Sequence, residues 1–365
     1  MKYKKIFFEN LAKSNFFFTE KFKNNYKIFI KNGKYILSDF VQKFENDFAN
    51  YHKSKFCIGV GNGLDALTIS LKSLNLNQDS EVLVAANSYV ACIMSIINAN
   101  LKPVLVEPNI HTYNIDISQI EKKITKKTRA IMAVNMYGKP CDLINIKKIC
   151  KKYNLYLIED CAQSHGATIN NKMSGTFGDL GCFSFYPTKN LGSLGDAGAI
   201  ICNNKNLYSK IRKIRNYGSE KRYNNEIQGI NSRLDEFQAA FLIIKLKYLN
   251  KINNHKIKLA NIYNKYLKDD FVKPLQQLGV KHVYYIYNIR HSKRDRLRKF
   301  LLERNIFTDI HYSTPPYKQP CFKGIFNSKF PISDIIHETT LSLPISFAHT
   351  EKEIYKVTEV LNSFK

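Results

Sequence analysis

Short apolar runs alternate with amphipathic stretches from Phe56 to Asn203. Val82–Ala86, Val104–Glu107, Ala130–Val134, Leu155–Glu159, Cys182–Tyr186 and Ala197–Cys202 are brief, mostly apolar and bounded by turn formers or charges. Runs of that kind predict strands buried on both faces. Between them, Asn62–Leu74 carries Leu64, Leu67, Leu71 and Leu74 at spacings of three and four, which places all four on one helical face. Leu143–Tyr153 repeats the pattern with Ile146, Ile149 and Cys150. Strand and helix in alternation predict an α/β domain built on a mainly parallel sheet.

The pattern changes after about Tyr217. Leu234–Leu267 reads as one long connecting helix passing through Leu246 and Leu249. Beyond about Val272, a strand at Val283–Ile289 mixes with helices at Asp295–Arg304 and Lys352–Leu361. The expectation is a large domain over residues 25–250. A smaller α+β domain follows over 251–365, joined by the N-terminal segment 1–24. A length of 365 residues fits two domains at roughly 100–200 residues each.

Composition narrows the class. Apolar residues make up 44% of the chain, enough for a sizeable core without disulfides. The eight cysteines show no CxxC spacing and read as reduced core thiols, with no metal site expected. No apolar run is long enough to span a bilayer, and Met1–Tyr26 lacks the form of a signal peptide. A cytoplasmic protein with no membrane partner is expected. The net charge of +26 raises a nucleic-acid reading, but the charge is spread along the chain, is mostly Lys and comes with no motif. No nucleic-acid partner is expected. The charge favours an anionic substrate such as a nucleotide diphosphate.

Candidate chemistry gathers between Leu155 and Gly198. One strand ends in Glu159-Asp160, where α/β sheets place their ligands. The next, Cys182–Tyr186, leads to Ser184, Thr188 and Lys189 at the same edge. A lysine facing an aspartate from a neighbouring strand suits pyridoxal 5'-phosphate. That cofactor needs an amine for its Schiff base and a carboxylate to keep its pyridine nitrogen protonated. A simple Asp–Lys ion pair is the alternative for the two residues taken alone.

The surrounding words decide between them. EDCAQSHGA followed by SFYPTKNLGSLGDAGAI resembles the DegT/DnrJ/StrS family of sugar aminotransferases, with ordered motifs from about Gly59 to Val360. The resemblance implies PLP-dependent fold type I, the aspartate-aminotransferase-like fold, and a homodimer. It implies Lys189 as the Schiff-base lysine, Asp160 as the pyridinium partner, Gln163 against the cofactor ring and its phenolic oxygen, and Ser184 on the phosphate. GVGNGLDAL resembles the first phosphate motif, whose N–H groups at Gly63 and Leu64 would meet an anion at a helix N-terminus. Tyr89 matches the stacking aromatic. Asn231, in GINSRLDEFQAA, matches a residue reaching the partner subunit's cofactor phosphate, so the active sites are expected to be shared.

Substrate contacts implied by the resemblance are Lys221 and Tyr223 in GSEKRY, His311 and Tyr312 in HYSTPP, and His165. A solvated loop is the plain alternative for the first pair, and a structural histidine for His165. Ala85 and Asn135 depart from the family pattern, which often has Pro and His there. Lys189 argues against a sugar dehydratase, in which a His replaces the lysine. The wording NGLDAL, GSLGDAG and NSRLDE is most similar to enzymes acting at C3 of dTDP-3-keto-6-deoxyhexoses; C4 enzymes more often carry SGTAAL. L-glutamate is the expected amino donor. Gluco and galacto configurations both stay open at C4.

Overall fold

The apolar runs form the centre of the molecule. In the computed structural model, which describes residues 5–221 and 223–365, five of them are parallel neighbours in one sheet. Residues 1–4 of the N-terminal segment lie outside the described residues. The strands are β1 (Phe56–Val60), β2 (Glu81–Ala85), β3 (Lys102–Val106), β4 (Thr128–Val134) and β5 (Tyr156–Asp160), then a short hairpin of β6 (Thr168–Ile169) and β7 (Lys172–Met173), then β8 (Leu180–Ser184) and β9 (Gly198–Cys202). The seven-stranded order is β1-β9-β8-β5-β4-β2-β3. The run β3-β2-β4-β5-β8 is parallel, and β9 is antiparallel to both β8 and β1. β1 extends the sheet by a strand that the apolar pattern did not mark out.

Helices cover both faces. The chain begins with α1 (Leu11–Phe16), α2 (Thr19–Asn32) and α3 (Asp39–His52). α4 (Gly63–Ser73), α5 (Val90–Asn98), α6 (Ile117–Lys123) and α7 (Leu143–Tyr153) connect strands, and α8 (Lys205–Ile214) follows β9. Local caps set several ends. The Asn62 side chain accepts from Asp65 N–H at 2.8 Å at the start of α4. The start of α3 is held from a distance: buried Glu236 accepts from Phe40 and Val41 N–H at 2.8 and 3.1 Å. Two of the four backbone donors that a helix start leaves unpaired are thus met by a carboxylate far along the chain.

The long helix expected over Leu234–Leu267 is two helices, α9 (Glu236–Leu246) and α10 (Leu249–Tyr266). α9 is buried almost all round, while α10 buries one side through residues such as Leu259 and Tyr263. The chain turns at Tyr248, with φ −107° and ψ 0°. No Gly or Pro marks this joint, so the apolar pattern runs through it. After the hairpin strands β10 (Ser219–Lys221) and β11 (Asn224–Asn225), the remaining elements are β12 (Val280–Lys281), β13 (Tyr287–Arg290), α11 (Arg294–Glu303), α12 (Pro331–Thr339), β14 (Thr340–Leu343) and α13 (Glu351–Asn362).

β13 and β14 pair antiparallel, and a second core forms on them from α10, α11 and α13. Ile6 joins that core and bridges Ile306, whereas Phe18 packs on Phe241 of α9. The strand expected over Val283–Ile289 begins only at Tyr287. Val283–Ile286 is irregular backbone, and this delivers Tyr285 to the edge of the large sheet. No helix among the described residues is long and apolar enough to cross a membrane.

Candidate active site

β5 and β8 are neighbours, with Asp160 opposite Cys182 in register. The sheet therefore sets Asp160 beside the strand that leads to Lys189. Successive strand residues face opposite ways, and the Glu159-Asp160 pair divides accordingly. Glu159 turns into the core and accepts three backbone N–H bonds, from Gly175, Phe177 and Gly178 at 2.6–2.7 Å. Asp160 turns to the site.

The Asp160 carboxylate is only 7% exposed. Ala162 N–H donates to Oδ1 at 2.9 Å and the Cys92 thiol donates to Oδ2 at 3.1 Å. Burial pushes this carboxyl above its usual range; the two donors and the charge of Lys189 oppose that push. No basic side chain lies within 4.0 Å of it among the described residues. A buried carboxylate without a cation is costly. A protonated ring nitrogen would supply what is missing.

Lys189 lies in a turn after β8, its N–H donating to Tyr186 carbonyl at 2.8 Å. Its side chain is half-buried, and its Nζ sits 4.0 Å from the centre of the Tyr285 ring. At the same end of β8, the start of α4 approaches Ser184 so closely that a Cβ on Gly63 would fall 2.6 Å from Ser184 Cβ. That leaves the Ser184 hydroxyl beside the first N–H groups of an 11-residue helix, Gly63 and Leu64 included. Hydroxyl and helix N-terminus together make a cradle for a phosphate. The residues present thus fit pyridoxal phosphate at three points: an amine, a buried carboxylate and an anion cradle.

An aromatic and polar cluster faces this group. Tyr89 precedes α5, is 46% exposed, and lies 4.9 Å from the Tyr312 ring. Gln163 is buried; its Nε2 donates to the Tyr312 hydroxyl at 3.3 Å and its Oε1 accepts from Tyr137 N–H at 2.7 Å. Tyr137 in turn donates its hydroxyl to the His311 carbonyl. His311 Nδ1 lies 3.0 Å from Ser342 Oγ. Burial pushes His311 down to about 4, against the pull of Asp309, so its ring is neutral near pH 7. Burial and the surrounding phenols raise the Tyr312 hydroxyl well above its usual range.

Other expected residues stand elsewhere. His165 does not reach the catalytic face. It is fully buried, with Phe183 and Phe185 each 5.6 Å from its ring. Neither ring nitrogen makes a hydrogen bond of ordinary geometry, and burial holds it well below its usual value. It is a core residue because the chain reverses after Gln163 and turns the next ring inward. Lys221 and Tyr223 lie on the exposed β10–β11 hairpin, with Tyr223 86% exposed. Asn231 is exposed and bridges Asn216, while its neighbour Ser232 accepts from Gly61 N–H at 2.9 Å. Three residues at the site escaped the sequence reading. Cys92 looked like any core thiol, Tyr285 was hidden in an apolar run, and Lys256 lay within a helix of many lysines.

Comparison with known proteins agrees with this geometry. The model of the DegT/DnrJ/EryC1/StrS aminotransferase family matches residues 18–362. A relative from Aneurinibacillus thermoaerophilus, named dTDP-3-amino-3,6-dideoxy-alpha-D-galactopyranose transaminase, is 44% identical over 92% of this chain and 93% of its own. The crystal structure of DesV from S. venezuelae, in complex with a ketimine intermediate, superimposes with a TM-score of 0.96 at 32% identity, covering 98% of both chains. NtdA from Bacillus subtilis, solved with bound cofactor PMP, gives a TM-score of 0.90 at 28% identity over 98% of this chain and 84% of its own. The chain belongs to the DegT/DnrJ/EryC1/StrS aminotransferase family, whose members are PLP-dependent.

Proposed function

We propose that this enzyme transfers the amino group of L-glutamate to C3 of a dTDP-3-keto-6-deoxyhexose, giving the dTDP-3-amino-3,6-dideoxyhexose, with pyridoxal 5'-phosphate as cofactor. The observation that carries the reading is half-buried Lys189, in the turn that follows β8, together with the cation-free carboxylate of Asp160 at the end of the adjacent strand β5. The name of the 44% identical relative supports C3 and the dTDP-linked sugar.

Lys189 would hold the cofactor through its amine. Asp160 would face the ring nitrogen, Ser184 and the N–H groups of Gly63 and Leu64 would bind the phosphate, Tyr89 would stack on the ring, and Gln163 would meet the phenolic oxygen. When bound, pyridoxal phosphate supplies an electron sink for the carbon bearing the amino group. The free amine of Lys189 would be the group that holds and moves the proton during transfer. Tyr312 and neutral His311 orient the sugar from the opposite wall. Lys221 and Tyr223 meet the pyrophosphate, for which a cation and a phenol are a suitable pair.

The exposure of Asn231 supports a homodimer in which the partner subunit's Asn231 completes the phosphate site. Seven buried free cysteines support a reducing compartment, the cytoplasm.

The test is an absorbance spectrum of the protein loaded with pyridoxal phosphate, before and after L-glutamate, followed by 3-keto and 4-keto dTDP-sugars supplied separately. A cofactor band that changes with glutamate and reverts with the 3-keto sugar is the expected result. A preference for the 4-keto sugar would make it a C4 aminotransferase. A stable band with no turnover on any donor would favour a PLP-binding regulator. Protein that takes up no cofactor overturns the reading.

A further inference from the structure

Lys189 shares its aromatic neighbour with a second lysine. Lys256, on α10, lies 5.8 Å from the centre of the same Tyr285 ring. It is 3% exposed, and its Nζ donates to the Tyr285 carbonyl at 3.0 Å and to Asn190 Oδ1 at 2.9 Å. Both acceptors are neutral, and no carboxylate lies within 4.0 Å of Lys256 among the described residues. Burial pushes Lys256 down to about 8, with Glu9 opposing and Lys189 adding to the push. A buried, unpaired amine is a poor choice for stability alone.

Its bonds converge on Lys189 from both sides. Asn190 follows Lys189 in the chain, and its Nδ2 donates to Asn253 Oδ1 and to the Val283 carbonyl at 2.9 and 3.0 Å. Thr188 precedes Lys189, and its hydroxyl lies 3.1 Å from the Tyr285 hydroxyl. The two neighbours of Lys189 and the ring beneath it are thus tied into one group, with Lys256 at its centre. Behind the group is a cavity of about 30 Å3 lined by Lys189, Lys245, Lys256 and Glu9. Glu9 acts on these lysines only by its charge at a distance: its carboxylate accepts from Asn10 N–H and Ser14 Oγ at 2.8 and 3.3 Å and forms no ion pair with them within 4.0 Å among the described residues.

We propose that Tyr285 is a positioning residue that seats the Lys189 side chain, and that Lys256 is the buried anchor holding that seat in place. The proposal rests on the role given to Lys189 above. A lysine that alternates between bonded and free states needs a resting place that does not trap it. An ion pair with a carboxylate would be directional and hard to leave. The face of a ring attracts the amine weakly and over a range of orientations.

The test uses full-length apoprotein and reads the labelling of Lys189 by trace acetic anhydride, measured by mass spectrometry against surface lysines. Loss of the ring in Tyr285→Leu should speed Lys189 labelling about 2- to 30-fold, the range of a cation–π contact. The loaded variant should lose kcat by a similar factor with KM for the nucleotide sugar unchanged. Tyr285→Phe, which keeps the ring, should stay close to the wild type in both. Lys256→Met should follow Tyr285→Leu, and Lys256→Arg should restore the wild-type labelling. A folded Tyr285→Leu protein with unchanged labelling, or one indistinguishable from Tyr285→Phe, overturns the proposal. If Tyr285→Leu does not fold, unchanged labelling in Lys256→Met overturns it instead. The labelling needs neither cofactor nor sugar. Failure to bind pyridoxal phosphate or turn over a keto sugar would therefore count against the function alone.

Discussion

The Cys92 thiol, from the first turn of α5, donates to Asp160 Oδ2 at 3.1 Å. The bond links the helix that follows Tyr89 to the carboxylate at the end of β5. A donor to the charged form favours that form, so Cys92 helps Asp160 stay ionised against burial. Replacing it by Ala should weaken pyridoxal phosphate binding about 5-fold, the worth of one modest hydrogen bond. Cys92→Ser keeps a donor and should bind near the wild type. A cofactor titration of the three proteins checks this, and equal affinity in Cys92→Ala would show that the thiol is only packing.

Lys189→Ala removes the amine that would hold the cofactor and move the proton. Turnover should fall by about 10²–10⁴-fold, the range of a lost acid–base group. The remaining contacts at Ser184, Gly63 and Asp160 should still retain cofactor. Borohydride reduction followed by mass spectrometry should attach it to Lys189 in the wild type and leave the variant unlabelled. Turnover at the wild-type rate would remove Lys189 from the mechanism.

The carboxylate next to Asp160 has a different task. Glu159 is fully buried and its two oxygens meet three backbone donors from the loop between β7 and β8. Glu159→Gln would turn an amide NH2 towards those donors and leave at least one unpaired. The cost should be about 2–4 kcal/mol of stability. Folded Glu159→Gln protein should bind cofactor as the wild type does. Denaturant unfolding beside a cofactor titration separates the two effects.

How much of this could be read from the chain depends on how local each cause is. The strands were legible because parallel strands covered on both faces carry unbroken apolar runs, as Val82–Ala85 of β2 and Ala130–Val134 of β4 do. The Lys189 and Asp160 positions were legible because their chemistry is carried by contiguous words. Strand periodicity alone does not choose between Glu159 and Asp160, since either parity of the strand suits an acidic pair; only the resemblance of the motif named Asp160. The break at Tyr248 left no Gly or Pro to signal it. Tyr285 sits in a run that reads as strand, and only its irregular backbone brings it under Lys189. His165 shows the reverse case: two residues from Gln163 in the chain, it faces Phe183 and Phe185 in the core.

Acid should unfold this protein partly through His52. The ring is 2% exposed, Nδ1 faces the Phe48 carbonyl at 3.0 Å and Nε2 has no partner. Burial pushes it down to about 4. Its folded value is therefore below the unfolded one, and acid protonates the unfolded chain first. Above about pH 6.5 the residue is neutral in both states and adds no pH dependence. Stability is lost as pH falls from there towards 4, by on the order of 2 kcal/mol at pH 5. His52→Phe should flatten the stability difference between pH 7 and pH 5 by about that amount in urea unfolding. An unchanged difference would place the acid sensitivity in other groups.

The phosphate cradle allows a sharper test, because steric and binding effects can be separated at one contact. A Cβ on Gly63 would lie 2.6 Å from Ser184 Cβ and 3.2 Å from its Oγ. Gly63→Ala must push α4 away from β8, at a cost of about 1–3 kcal/mol. The shift also moves the helix N–H groups away from the Ser184 hydroxyl, so cofactor affinity should drop roughly tenfold, the worth of one charge-assisted hydrogen bond. Ser184→Gly makes room for the methyl group but removes the hydroxyl. In the double variant, stability should recover, because the clash is gone, while affinity should stay low, because the hydroxyl is gone. Thermal unfolding and cofactor titration on all four proteins complete the cycle. Recovery of affinity together with stability would mean that the Ser184 hydroxyl does not bind the phosphate, and that the close approach of α4 to β8 serves packing alone.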